Sequence, residues 1–482
     1  MKNTFVSFFL FLSFSNSFAQ NQSADLLIKD VTIVQVAEGK IIPNQVVVIK
    51  GDRIVETGSQ AIEKKYAAKQ TIKATGKFIM PGLWDMHVHF GGDTLVDDNE
   101  QLLPLYLAMG VTAVRDAAGD ISIDVLKWRS QINKAKMIGP RIFTSGPKLE
   151  GKKSIWPGDL EIENETELKL ALDSLEKLKV DFVKITDNTL SPDLYLESIK
   201  QARRRGWKTS GHIPATFTLL EASTAGLSTI EHMNRVLRAA YGDEEKLMQQ
   251  REEDKVNGRA ITKQLLQTMD TNIAVNNFRR LAANGTAVVP TMIGGYISAY
   301  MDENDHLQDD YLKYIGPELK RTWKARRNLN EDAKAIAARH QQFETNASFL
   351  HLLNKAGVTI IAGTDAGYMN SFIYPGIGLH QELDLMVKYG GISPHAALKA
   401  SVINGPGFFG FQDDYGAISK NKKADLLILD ANPLENIKAT QSIHAVVCNG
   451  VYMSRAALDK SLLAIEKWVK EKEDKEKRET LQ

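Results

Sequence analysis

Across its 482 residues the chain has a single cysteine, Cys448. One thiol forbids an intramolecular disulfide and any zinc site built from several thiolates, so a metal would have to rest on His, Asp, Glu or a modified side chain. Net charge is equally scarce: 60 Lys+Arg stand against 59 Asp+Glu, a formal balance of +1. Such a chain has no overall field to draw nucleic acid or an anionic membrane, and neither is expected as a partner. No repeat at a solenoid period is visible. With 43% hydrophobic and 25% charged residues the composition is ordinarily globular, which excludes a disordered, collagenous or multi-pass membrane protein.

What is present begins with an address. Met1, Lys2 and Asn3 make a weakly basic start, Phe5 to Phe14 is apolar, and Ser17-Phe18-Ala19 has the small-x-small form of a cleavage site. This order predicts a signal peptide over 1–19, cut after Ala19, and a secreted or periplasmic protein. The apolar run is too short for the roughly 20 residues that span a bilayer. The lone cysteine favours a bacterial periplasm, although Asn21, Asn164, Asn284 and Asn346 stand in Asn-x-Ser/Thr triplets.

Two periodicities follow. Over 20–78 the chain reads as short strands separated by turns: Leu26 to Lys29, Val31 to Val36, Gln45 to Ile49, Arg53 to Gly58 and Thr71 to Ala74. From Ile79 brief apolar runs alternate with helical stretches. The runs are Ile79 to His89, Val111 to Ala117, Arg141 to Gly146, Asp181 to Thr186, Thr209 to Ile213, Ser228 to Met233, Ala287 to Met292 and Thr359 to Ala366. Eight such units predict a (β/α)8 TIM barrel over 79–410. The span exceeds the roughly 250 residues typical of that fold, and the excess fits helical insertions at 240–281 and 294–357. Strands return at Ala424 to Asp430 and Ala445 to Asn449. Strand-rich material at both ends, 20–78 and 411–458, predicts one small β-sandwich domain built from the two. The Lys- and Glu-rich end, 459–482, reads as a charged, solvated helical tail.

The chemistry lies at the ends of the predicted barrel strands, where barrel active sites are assembled. His87 and His89 close the first run, and alternate strand residues share a face. His212 ends the fifth run, His232 the sixth and Asp365 the eighth. Four of only ten histidines therefore occupy strand ends. Lys184 lies inside the apolar run Asp181 to Ile185, where a bare cation is costly to bury. Two readings stay open for it: an ion pair with Asp187 or Asp365, or an amine that has added carbon dioxide, giving a carbamate able to bridge two divalent ions.

These residues carry a resemblance. The chain is similar to the amidohydrolase superfamily, in its imidazolonepropionase-like and Xaa-Pro dipeptidase (prolidase-like) branch, over nearly everything from Asp25 to Val451. The motifs are Met80-Pro81-Gly82-Leu83-Trp84-Asp85-Met86-His87-Val88-His89, Gly110-Val111-Thr112-Ala113-Val114-Arg115-Asp116, Val183-Lys184-Ile185, Gly211-His212, Ile230-Glu231-His232, Gly363-Thr364-Asp365-Ala366-Gly367 and Ala424-Asp425-Leu426-Leu427-Ile428-Leu429-Asp430. The resemblance implies two zinc ions: a buried one on His87, His89 and Asp365, an outer one on His212 and His232, with N6-carboxylated Lys184 on both. It implies cleavage of an amide or peptide bond by a metal-bridged hydroxide, with Asp365 as the catalytic proton carrier. The expected substrate is a small molecule or dipeptide of Xaa-Pro or N-acyl amino-acid type.

Secondary candidates are Arg115, as partner of a substrate carboxylate or in an ion pair between neighbouring strands, and Tyr296, which looks similar to a substrate-contacting tyrosine of related peptidases. Tyr368 and Tyr374 follow the eighth run and could line a pocket, whereas His380 and His395 fall where packing is expected. One departure is Gly211-His212-Ile213-Pro214, where many relatives have a further histidine two residues after the ligand; this bears on the substrate more than on the metal. A one-metal deaminase or imidazolonepropionase-like cyclic amide hydrolase would not need Lys184 modified. An organophosphate or lactone hydrolase would share the two-metal site. A non-catalytic relative would be expected to have lost ligands, and all six positions are filled. Nothing in the sequence excludes a homo-oligomer.

Overall fold

In the computed structural model, residues 21–214, 217–242, 244, 269–323 and 331–480 are described. The leader expected over 1–19, and much of the insertion expected over 240–281, lie outside them.

The strand-rich ends join. The hydrogen-bonded path runs Val451–Ser454, Ile443–Cys448, Leu426–Leu429, Phe78–Pro81, Gln22–Gln35, Lys40–Lys50, Arg53–Ser59, with Tyr66–Lys73 also paired to Gln22–Gln35. Leu426–Leu429 runs antiparallel to Phe78–Pro81, which unites the two ends of the chain in one sheet. Side chains alternate as period-2 pleating requires. Leu26, Ile28, Val47, Ile49, Leu426 and Ile428 belong to one apolar cluster, and Leu27, Val46 and Val48 to another. The two strands expected at Leu26 to Lys29 and Val31 to Val36 are a single strand. Asp30 takes a left-handed φ of 58°, and the register to the neighbouring strand shifts between Ile28 and Val31. A bulge of this kind looks like a strand end in one dimension.

The middle of the chain is α/β with parallel sheets. One contains Leu83–His89, Val111–Asp116 and Arg141–Thr144, with Ala366–Gly367 beside the first. The other contains Val183–Ile185, Thr209–Gly211, Thr229–Glu231 and Ala287–Val289, with the two-residue strands Leu149–Glu150 and Leu160–Glu161 at its edge. Backbone hydrogen bonds tie the sheets at both sides. Asp181 N donates to Thr144 O at 2.9 Å, while Ile361 N donates to Val288 O at 2.9 Å and Met86 N to Ala362 O at 3.0 Å. The eighth predicted run, Thr359 to Ala366, is thus mostly irregular backbone: Ile360 makes a single parallel bridge to Val288, and the short strand Ala366–Gly367 begins only at the run's last residue.

Amphipathic helices cover these strands. Glu165–Leu178 buries Leu168, Ala171, Leu172 and Leu175 at i, i+3, i+4, i+7. Its first turn is capped by Asn164 Oδ1, which accepts from Glu167 N at 3.0 Å, worth about 1 kcal/mol. The C-terminal segment forms the helix Arg455–Thr480, but docked rather than solvated. It buries Leu458, Ile465 and Val469, and Lys472 Nζ lies 2.5 Å from the fully buried Asp98 and 3.1 Å from Glu318. The charges that read as a solvent face are partly spent on pairs with distant elements. No helix among the described residues is long and apolar enough to cross a membrane.

Candidate metal centre

Six side chains converge where the parallel strands end. His87 and His89 come from Leu83–His89, Lys184 from Val183–Ile185, His212 follows Thr209–Gly211, His232 follows Thr229–Glu231, and Asp365 precedes Ala366–Gly367. His87 Nε2 and His89 Nε2 are 3.1 Å apart, and Asp365 Oδ1 lies 3.3 Å from the former and 3.1 Å from the latter. His212 Nε2 and His232 Nε2 are 3.0 Å apart. Lys184 lines one cavity with His89, His212, His232 and Asp365. The backbone is strained here: His232, Thr291 and Asp365 have φ of 72°, 44° and 66°. Non-glycine residues in this region cost on the order of 1–3 kcal/mol each. Backbone bonds hold two of them, His232 N to Val289 O at 2.8 Å and Asp365 N to His87 O at 2.7 Å.

Each outer ring nitrogen has a polar neighbour, in a hydrogen bond for all but His212. His87 Nδ1 is 2.6 Å from Glu231 Oε2, His89 Nδ1 2.6 Å from Ala118 O, His232 Nδ1 2.8 Å from Thr291 Oγ1 and His212 Nδ1 3.5 Å from Asp187 Oδ1. A carbonyl and an ionised carboxylate only accept, so His87 and His89 donate from Nδ1. Burial, reinforced by the charge of Lys184, holds His212 and His232 below the usual imidazole range and brings His87 down to about 3. In neutral rings with Nδ1 protonated, the Nε2 atoms of His87 and His89 are bare lone pairs. They face each other and the carboxylate oxygen of Asp365. Burial raises the Asp365 carboxyl, and positive charge beside it, whether on protonated His87, His232 and His89 or on a bound cation, is what brings it well below the usual range. Three converging acceptors suit a cation, and deprotonated imidazole and carboxylate are the forms that bind metal. Their separations resemble those of neighbouring ligands on a tetrahedral ion with bonds of about 2.0–2.1 Å.

Lys184 is 1% exposed and its Nζ has no hydrogen-bond partner among the described residues. Burial lowers its amine to about 8. The ion pair with Asp187 or Asp365 is not formed: Asp187 instead contacts Arg235 at 2.9 Å and His212. An orphaned, partly deprotonated amine beside an array of metal-type donors fits a carbamate, which would supply two oxygens where the ammonium supplies none.

Glu231 is the residue that sequence reasoning passed over. Fully buried, it accepts from His87, from Arg115 Nη2 at 2.9 Å on both oxygens, from Ser210 Oγ at 2.6 Å and from Thr229 Oγ1 at 2.5 Å. Burial works to raise it, but Arg115 and Lys184 prevail and hold it well below the usual carboxylate range. The cost argument applied to Lys184 would have found it, because a carboxylate inside a strand needs equally good reasons. Glu231 fixes the tautomer and direction of His87. Glu231→Gln should weaken metal binding about 10–100-fold, measured by competition with a chelator. Unchanged metal affinity would remove that positioning role.

The secondary candidates separate. Arg115 is fully buried, spent on Glu231, Met86 O and the rings of Phe182 and Phe408, so it is the ion pair between strands and lines neither cavity at the site. Tyr296 also lines neither; its ring packs on Tyr300, Phe343 and Tyr389 at 4.7, 5.5 and 5.8 Å between centroids. Tyr368 does line the smaller cavity, about 130 Å³, with Lys148, Trp156 and Met369. Tyr374 is buried and donates to Asp309 at 2.9 Å. His380 bonds Thr440 and Met109 O, and His395 bonds Val36 O, as packing residues do. A larger cleft of about 460 Å³ opens on the other side of His232, Asp365 and Asn370, which border both spaces.

Comparison with known proteins gives the same centre a context. The family model described as "Amidohydrolase family" matches residues 78–453. Ochratoxinase of Aspergillus niger is 25% identical over 467 residues, covering 85% of this chain and 82% of its own. Two solved structures share the fold. A Xaa-Pro dipeptidase with bound methionine in the active site has a TM-score of 0.63 at 20% identity, covering 89% of this chain and 99% of its own. The bottromycin amidohydrolase has a TM-score of 0.70 at 19% identity, covering 91% and 90%.

Proposed function

The chain belongs to the amidohydrolase family and is a hydrolase acting on C–N bonds, and on that premise we propose that it cleaves an amide or peptide bond at the His87–Asp365 centre. The reading includes a closed (β/α)8 barrel over 79–410, an end domain of two β layers from 20–78 and 411–458, and a leader removed after Ala19. The observation that carries it is one cavity in which His89, His212, His232 and Asp365 meet the buried Lys184, whose Nζ has no hydrogen-bond partner among the described residues, with His87 Nε2 3.1 Å from His89 Nε2. The names of two relatives, an ochratoxinase and a Xaa-Pro dipeptidase, support amide hydrolysis with an amino-acid leaving group.

His87, His89 and Asp365 would hold one zinc ion, His212 and His232 a second, and carboxylated Lys184 both. When bound, such a pair supplies an acidified water and a Lewis acid for the scissile carbonyl. The chain's own residues do the rest. Asp365, ionised and at the border of both cavities, accepts the proton of the attacking water and returns it to the departing amine nitrogen. Glu231, Ala118 O, Asp187 and Thr291 keep the four imidazoles turned inward. Trp156 and Tyr368 wall the smaller cavity and limit water around the reacting carbon.

Elemental analysis of enzyme prepared with zinc and bicarbonate should find about two ions per chain, and that preparation should hydrolyse members of a panel of Xaa-Pro dipeptides and N-acyl amino acids. About one ion, with turnover only of cyclic amidines, would replace this reading by the one-metal alternative.

A further inference from the structure

The helix Met292–Ala299 begins beside the metal centre, and its first turn is capped from elsewhere. Thr291 stands at its N-cap, a position where a threonine hydroxyl ordinarily accepts from a backbone N–H of the first turn. Here the hydroxyl makes no such bond and lies 2.8 Å from His232 Nδ1 instead. The backbone conforms to that use, since Thr291 holds a left-handed φ of 44° in place of the extended conformation usual at an N-cap. A different helix takes the N–H groups that Thr291 leaves uncapped. Glu382, on Ile377–Lys388, accepts from Met292 N at 2.9 Å on one oxygen and from Ile293 N at 2.8 Å on the other.

Glu382 is fully buried, and among the described residues the only charge that bears on it is that of Asp85, of its own sign. Burial pushes its carboxyl up to about 8 against the pull of the two N–H groups. A side chain whose only task was to cap a helix could do so from the surface, as the exposed Asn164 and Asp332 do, without that cost. Gly378 lies one turn before Glu382 on the same face. A Cβ there would come within 3.2 Å of Ile373 and 3.6 Å of Ile293 and Thr364, so the glycine lets the helix approach both the start of Met292–Ala299 and the residue before Asp365.

Without the Glu382 oxygens the N–H groups of Met292 and Ile293, both buried residues, would be unpaired. The replacement at hand is the Thr291 hydroxyl, because capping that turn is what an N-cap threonine does. Turned to that task, it would leave His232 Nδ1 without its partner and the ring without the bond that aims it at His212.

We propose that Glu382 is a positioning residue for the outer metal ion: by capping Met292–Ala299 from the neighbouring helix, it releases the Thr291 hydroxyl to hold His232. The proposal rests on the two-ion reading above and extends it to a carboxyl group bonded to none of the ligands.

The test is a zinc titration of the metal-free full chain against a chelator, in bicarbonate and without substrate. Wild type should take about two equivalents, and His232→Ala marks the one that depends on His232. Glu382→Met should weaken that equivalent by about tenfold or more and leave the other within about threefold of wild type. Thr291→Val should do the same, while Thr291→Ser, which keeps the hydroxyl, should bind like wild type. Added to Thr291→Val, Glu382→Met should weaken binding by less than about threefold more, because it acts through the threonine. Loss of neither equivalent, equal loss of both, or additive losses in the double variant overturns the proposal. If Glu382→Met does not fold, Glu382→Gln, with one acceptor in place of two, is read by the same criteria; failure of both to fold makes the carboxyl structural and overturns it. A wild type with one equivalent fails the two-ion reading by itself. The variants are then read on that ion, where the same non-additive loss sustains the role of Glu382 and an unchanged affinity overturns it. A wild type that binds no zinc overturns both.

Discussion

Lys184→Ala is expected to release at least one metal equivalent and to lower turnover by about a thousandfold or more. A bound divalent ion contributes several kcal/mol to transition-state stabilisation, and each 1.36 kcal/mol is a factor of ten. The stability of the metal-free protein distinguishes this role from a structural one. Nζ is buried with no hydrogen-bond partner among the described residues, so in the absence of metal the lysine costs free energy and contributes none through an ion pair with them. Metal-free Lys184→Met should therefore be at least as stable as metal-free wild type in urea, while losing metal and activity. A loss of 3 kcal/mol or more, roughly what breaking a buried ion pair costs, would mean that the lysine is a structural cation and that no carbamate forms. Wild-type turnover in either variant would end the bridging role outright.

The second large effect is at Asp365. Asp365→Asn keeps the shape of the side chain and removes its charge, its affinity for metal and its capacity to carry a proton. General acid–base catalysis contributes about 10²–10⁴-fold, and kcat should fall by that range or more. The substitution also perturbs a strained position, φ 66°, that asparagine tolerates better than most residues. The fold should accordingly survive, with a melting midpoint near that of wild type. Stopped assays that follow the leaving amine at saturating substrate would check the prediction. A fall in kcat of less than tenfold with metal content intact would assign proton transfer to another group.

Both effects concern residues visible in the sequence, because the donors stand at the ends of apolar runs and the parallel architecture carries those ends to one place. Glu231 was hidden by its neighbour: the histidine beside it drew the chemical argument, and the network that satisfies the acid comes from three other strands. Tyr296 shows a different limit. Its position shortly after the strand Ala287–Val289 was legible, but which way a ring faces on the helix Met292–Ala299 depends on Phe343 and Tyr389, far along the chain. The docking of the last helix was unreadable for the same reason. Lys472 and Asp98 are separated by 374 residues, and local composition shows only charge. Asp30 concealed the length of the first strand, since a single left-handed residue interrupts the alternation that marks a strand without ending its pairing.

The union of the two chain ends bears on synthesis as well as on shape. Pro81 and Leu426 are direct partners, and at roughly 5–20 residues per second the later strand follows the earlier one out of the ribosome by tens of seconds. During that interval the edge of Phe78–Pro81 has unpaired N–H and C=O groups, a template that any other extended segment could occupy. A chain that stops before Leu426 never covers it. Early termination should therefore be harsher here than the distance of residues 426–454 from the metal centre suggests, because the last strands seal an edge exposed since the first seconds of the protein's existence.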